Sequence, residues 1–123
     1  MTFAICLLAA VALAILALAD PALSAGPAKT TLTIRAQGLD LSGTVQSSKL
    51  RCVGNRNVRL YKQRGTTQNP SVDNQIAMDT SERQGNRGVW STGNTGLSGR
   101  FYVRTARVPG CTAAVSKTIR AVR

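Results

Sequence analysis

Arg100-Phe101-Tyr102-Val103-Arg104-Thr105-Ala106-Arg107 is the stretch whose reading decides the fold. Phe101, Val103 and Thr105 fall on one face, and Arg100, Tyr102 and Arg104 on the other, which is the two-residue period of a half-buried strand. Upstream, Val58-Arg59-Leu60-Tyr61-Lys62-Gln63 repeats the pattern, with Val58 and Leu60 inward and Arg59 and Gln63 outward.

Working outward from these two runs, five more β-rich segments appear, each bounded by turn-forming residues. They are Thr31–Ala36, Gly43–Ser47, Ile76–Thr80, Val89–Ser91 and Val115–Val122. Gly38-Leu39-Asp40, the polar loop Arg64–Asn74, Ser81–Asn86 with its Gln84-Gly85-Asn86, Gly93–Gly96 and Pro109-Gly110 supply the connections. No sustained helical period occurs after residue 25. So many short strands in one small unit predict an all-β fold, a seven-stranded antiparallel Greek-key β-sandwich over residues 31–123. With few aromatics, Trp90, Phe101 and Tyr61 are expected to supply much of the core volume.

The chain opens differently. Phe3 to Ala19 is an uncharged apolar run followed by Asp20, Pro21 and the small-residue stretch Ala22–Gly26. This reads as a signal peptide over residues 1–25, with cleavage after Ser24 or Ala25 and Ala17-Leu18-Ala19 as a third candidate. The alternative is a retained membrane anchor, because the run reaches the short end of the spanning range of roughly 17–25 residues and its start carries no Lys or Arg. Residues 26–30 read as a flexible lead-in. Export implies a secreted or extracellular location, an oxidising one.

Past the leader only Cys52 and Cys111 remain, Cys6 lying within it. An even count in an oxidising compartment predicts that they pair, and closing so long a loop would contribute about 4 kcal/mol in the chain-entropy treatment. All 16 basic residues follow the leader, against Asp40, Asp73, Asp79 and Glu82, which leaves a net charge of +12 there. A field of that sign favours anionic partners such as envelope polymer, acidic polysaccharide, nucleic acid or lipid headgroups. The charges are interspersed and form no run, so a solvated outer face is the competing reading.

Several segments together have a family look: Cys52 followed by Val58-x-Leu60-Tyr61, then Asp79-Thr80 with Gly88-Val89-Trp90, then Gly99-Arg100-Phe101-Tyr102-Val103 before Cys111 and Ser116–Ile119. Over roughly residues 43–122 the chain resembles the prealbumin-like, carboxypeptidase-regulatory-type (transthyretin-like) sandwiches of exported proteins. The resemblance implies a Greek-key sandwich serving as a stability or binding module, and it implies no chemistry. The Ser81–Arg87 insert is longer than the shortest form of the family turn, so the hairpin register is left open.

Catalytic constellations are sparse. Without histidine, every His-based triad, dyad or metal site is excluded. Asp79 and Glu82 are neighbours in sequence, but a turn-stabilising role suits Asp79 better than paired-acid chemistry. Asp73, Asn74 and Asp79 lack calcium-loop spacing and lie near Arg83 and Arg87. The Gly93–Gly99 loop lacks the Lys and following helix of a phosphate loop. The last strand has no Asn for a Lys–Asn crosslink. The expectation is therefore a non-enzyme without metal, cofactor or small-molecule substrate. It would act as a structural or adhesion-type module at the cell surface, its partner another extracellular protein or an anionic polymer. An inhibitor of an acidic enzyme would also suit the charge. The candidate anion-binding residues are Arg59, Arg100, Arg104 and Arg120, which alternation points away from the core, with Tyr102 as an aromatic element. If two adjoining strands present them together, one sheet face becomes an anion-binding surface.

Overall fold

The structure, a computed structural model, describes residues 26–123. The leader expected over residues 1–25 lies outside the described residues. Strands run as β1 (Thr30–Leu32), β2 (Arg35–Gln37), β3 (Asp40–Ser47), β4 (Asn57–Lys62), β5 (Asn74–Thr80), β6 (Glu82–Gln84), β7 (Arg87–Asn94), β8 (Gly99–Thr105), β9 (Ala114–Val115) and β10 (Ile119–Ala121). They form two antiparallel sheets, one ordered β1-β3-β7-β6 with β2 also on β3, the other β10-β8-β4-β5 with β9 also on β8. The described residues contain both sheets, the core between them and the disulfide. Among the described residues no helix is long and apolar enough to cross a membrane.

The all-β sandwich expected from alternation is the observed fold, with ten strand segments where seven were expected. The first and last runs each divide in two, at Thr33-Ile34 and at residues 116–118. The third addition, β6, arises because the chain leaving β5 changes sheet at Ser81. That corner is buried and fully bonded: the Ser81 amide donates to the Arg56 carbonyl (2.9 Å) and its hydroxyl to the Val53 carbonyl (2.7 Å). Only Gly85-Asn86 remains as the hairpin turn, since β6 pairs with β7 through Gln84 and Arg87. Asp79 is no turn residue. Its carboxylate accepts the Ser91 amide at 2.7 Å, linking the edge strand β5 to β7 in the other sheet.

Period-two patterning builds the core. Leu32, Ile34, Leu39, Leu41, Val45 and Trp90 from one sheet meet Val58, Leu60, Phe101, Val103 and Ala121 from the other. Trp90 is 1% exposed and donates its indole N–H to the Thr33 carbonyl (3.1 Å), which satisfies its one polar atom. Two glycines make the packing possible. A Cβ on Gly43 would stand 1.9 Å from the Thr33 carbonyl oxygen, and one on Gly88 1.9 Å from that of Val53, so backbone fills the space a side chain would take.

Three expectations are corrected here. The lead-in is held: the Ala28 amide donates to Gly110, the Thr112 amide donates to Ala28, both at 2.9 Å, and Thr30 begins β1. Gln63 keeps the expected outward parity but is buried. Tyr61 is buried too, but on the face of β4 opposite Leu60, outside the central core. Both have the same cause: the Arg64–Asp73 loop folds back over the outer face of the second sheet.

Candidate anion-binding face

Adjacent strands β4 and β8 set the site. Their register places Arg59 directly opposite Arg104 and Tyr61 opposite Tyr102, on the face turned away from Val58, Leu60 and Val103. On the far side of the tyrosines, β8 and β10 set Arg100 opposite Arg120. The four candidate arginines thus share one sheet face as two cross-strand pairs. Arg100 and Arg104 are four residues apart along β8, so the pairs lie about 13 Å apart. Arg59, Arg104 and Arg120 are exposed and Arg100 is half-buried.

Tyr102 is corrected. Alternation puts it on this outer face, yet it is 0% exposed, because the Arg64–Asp73 loop covers it. Its ring stacks on Tyr61 (centroids 5.3 Å apart, planes 9° apart), and its hydroxyl donates to Asp73 Oδ2 at 2.5 Å. Asp73 also accepts the amides of Arg64 (2.9 Å) and Asn69 (2.7 Å). These donors hold the Asp73 carboxyl below its usual range: the Arg64 amide contributes most, then the Tyr102 hydroxyl, against the cost of burial. Burial pushes the Tyr102 phenol well above its ordinary value, reinforced by its bond to Asp73. Tyr102 is therefore a neutral donor that fastens the loop, and no anion reaches it.

Amides and hydroxyls extend the same cover. Gln68 Nε2 donates to the Ser116 carbonyl and to Thr118 Oγ1, both at 2.9 Å, while Thr118 donates to Gln63 Oε1 at 2.7 Å. Ser116 Oγ accepts the Val103 amide (2.9 Å) where β9 gives way to β10. The result is a small polar core outside the sandwich, and it separates the two arginine pairs.

Beside the cover, Arg104 lines two hollows that share Thr105 and Ala113. One, about 350 Å³, is lined by Gln68, Pro70, Thr105, Ala113, Ala114 and Val115 as well as Arg104. The other, about 190 Å³, is lined by Arg59, Tyr61, Ala106 and again Arg104, Thr105 and Ala113. The face can therefore offer two guanidinium forks to one anion, with apolar walls on one side.

The disulfide pole lies elsewhere. Cys52 and Cys111 are bonded, with Cα atoms 5.5 Å apart, so the expected pairing is present. Next to it is Arg56, which sequence reasoning missed. Although 1% exposed, it forks to four acceptors: Nη1 to Thr30 Oγ1 and the Cys52 carbonyl (3.0 Å each), Nη2 to the carbonyls of Ala106 and Thr112 (2.9 Å each). Burial draws its pKa down from the ordinary value, but a guanidinium keeps its proton in proteins. The parity of Arg56, Val58 and Leu60 could have pointed to it, since that alternation aims all three inward.

No group of His, Cys, Asp or Glu that could hold a metal ion occurs among the described residues. Comparison with protein-family models and with curated proteins returns no match.

Proposed function

We propose that this chain is an exported, non-catalytic β-sandwich module that binds an anionic partner through the outer face of its second sheet. The carrying observation is the register of Arg59 against Arg104, whose other cross-strand neighbours are Met78 and Val115, neither of them acidic. Like charges directly opposite each other cost stability in a sheet, and an anion held between them removes that cost. Guanidiniums suit bidentate contact with phosphate, sulfate or carboxylate, and a net charge of +12 after the leader draws such groups from a distance. The disulfide supports an oxidising, extracellular setting. A structural or adhesion-type role at the cell surface is the frame within which this face would work. The two-sheet layout supports the prealbumin-like resemblance at the level of architecture.

Retention on a heparin column, measured as a function of salt, tests the reading. Arg59→Gln/Arg104→Gln should elute earlier and lower the log–log salt slope by about 2. Arg83→Gln/Arg87→Gln, which removes the same charge from the β6–β7 hairpin, should change retention much less. Equal losses from the two doubles, or retention indifferent to salt, would reduce the effect to bulk charge and overturn the assignment.

A further inference from the structure

The row through the arginine pair has four members. From the β5 edge inward, Met78 lies opposite Arg59, Arg59 opposite Arg104, and Arg104 opposite Val115. Met78 is 56% exposed and Val115 51%. On the covering loop, Val72 is exposed as well, and Pro70 shares the larger hollow with Arg104 and Val115. Single exposed hydrophobics are ordinary on protein surfaces. Here Met78 and Val115 flank the two guanidiniums in one continuous register that holds no acidic residue, and that combination narrows the partner.

A hydrated polyanion would engage the guanidiniums but leave Met78, Val115 and Val72 in water. Single-stranded nucleic acid would also need aromatic faces for its bases. Tyr102 is sealed beneath the loop at 0% exposure, and Tyr61, 8% exposed and stacked on it, forms only part of the wall of the smaller hollow. What stays open is aliphatic. An anionic lipid surface satisfies both residue types at once, because headgroup phosphates accept from arginine while aliphatic side chains enter the headgroup–acyl boundary. Arginine stems can lie along that boundary with their charged ends at the phosphates.

We infer that the outer face of the second sheet docks on a membrane surface rich in anionic phospholipid, with Arg59 and Arg104 on headgroup phosphates and Met78, Val115 and Val72 dipping below them. This rests on the anion-binding reading and names its partner.

Sedimentation of residues 26–123 with vesicles tests it, comparing equimolar phosphatidylglycerol and phosphatidylcholine against phosphatidylcholine alone. The protein should bind the anionic vesicles and not the neutral ones. Met78→Ser/Val115→Ser, both at exposed positions, should weaken vesicle binding roughly 10-fold while heparin retention stays unchanged. Arg59→Gln/Arg104→Gln should weaken both, vesicle binding by about 10- to 30-fold. Vesicle binding unaffected by Met78→Ser/Val115→Ser, or absent altogether beside intact heparin retention, overturns the lipid assignment and leaves a polyanion as the partner. Loss of the specific heparin effect removes the anion reading itself.

Discussion

The disulfide pole and the outer face of the second sheet treat positive charge in opposite ways. Arg56, just ahead of β4, is enclosed and spends its two terminal nitrogens on neutral oxygens from four separate segments, while its buried Nε meets no acceptor among the described residues. Arg59, within β4, is exposed and meets another arginine across the strands. One guanidinium is a fixed joint, and its neighbour is an open valence. A net charge counts them alike, so charge alone does not reveal which arginines can bind a partner. The difference arises from strand parity, which turns Arg56 inward and Arg59 outward.

The contrast should break most forcefully at the pole. Arg56→Ala removes the donors to the Cys52, Ala106 and Thr112 carbonyls, the first of them buried, and leaves a cavity where an enclosed side chain stood, so it should cost about 3–5 kcal/mol in urea unfolding. Arg56→Lys should recover little of it, since one ammonium cannot span the fork. A lysine variant with an unchanged midpoint would show that the fork is dispensable. Reduction of the Cys52–Cys111 bond, which spans a sequence separation of 59, should cost about 4 kcal/mol in the same assay. A stability that reduction leaves untouched would argue that the fork holds the pole alone.

An intermediate effect is expected where the loop is fastened. Tyr102→Phe should lower the melting temperature by about 5 °C through loss of one charge-assisted hydrogen bond. The Asp73 carboxyl is depressed in the folded state. Its contribution is therefore complete above the unfolded pKa, about 3.9, and is lost as pH falls through the lower folded value. Melting curves should show wild type losing more stability than Asp73→Asn as the pH drops below about 4. Parallel losses would mean that Asp73 does not link the loop to pH.

The smallest change in stability belongs to the outer face. Arg59→Gln/Arg104→Gln should leave the fold unchanged or stabilise it by up to ~0.5 kcal/mol, because it relieves a like-charge pair. Marked destabilisation would place these side chains in the structural framework and weaken their claim to be a binding site.

Much of the sandwich was legible because its core follows a two-residue period: Val58, Leu60, Phe101 and Val103 were assigned inward, and all are 0% exposed. The four arginines were legible as outward-facing residues, but neither their common face nor their pairing was, since both depend on which strands adjoin. The polar loop was legible as a loop, but its course back over the sheet was not. Gln63 and Tyr102 alternate outward as read, Tyr61 shares their face and not the expected core, and only tertiary folding of Arg64–Asp73 over them turns an outer face into a second interior. Its signal is side-chain amides and one carboxylate, which carry no periodicity. The same limit hid the change of sheet at Ser81, where the bonds run to the distant segment Val53–Arg56.

The tether at Ala28 also defines a load path. Tension on the chain ahead of Ala28 falls first on its hydrogen bonds with Gly110 and Thr112, the residues flanking Cys111. From there it passes through a covalent bond to Cys52 at the head of the β3–β4 crossover. A pull from the N-terminal side is thus shared between both sheets through the bridge, before the β1–β3 ladder has to peel.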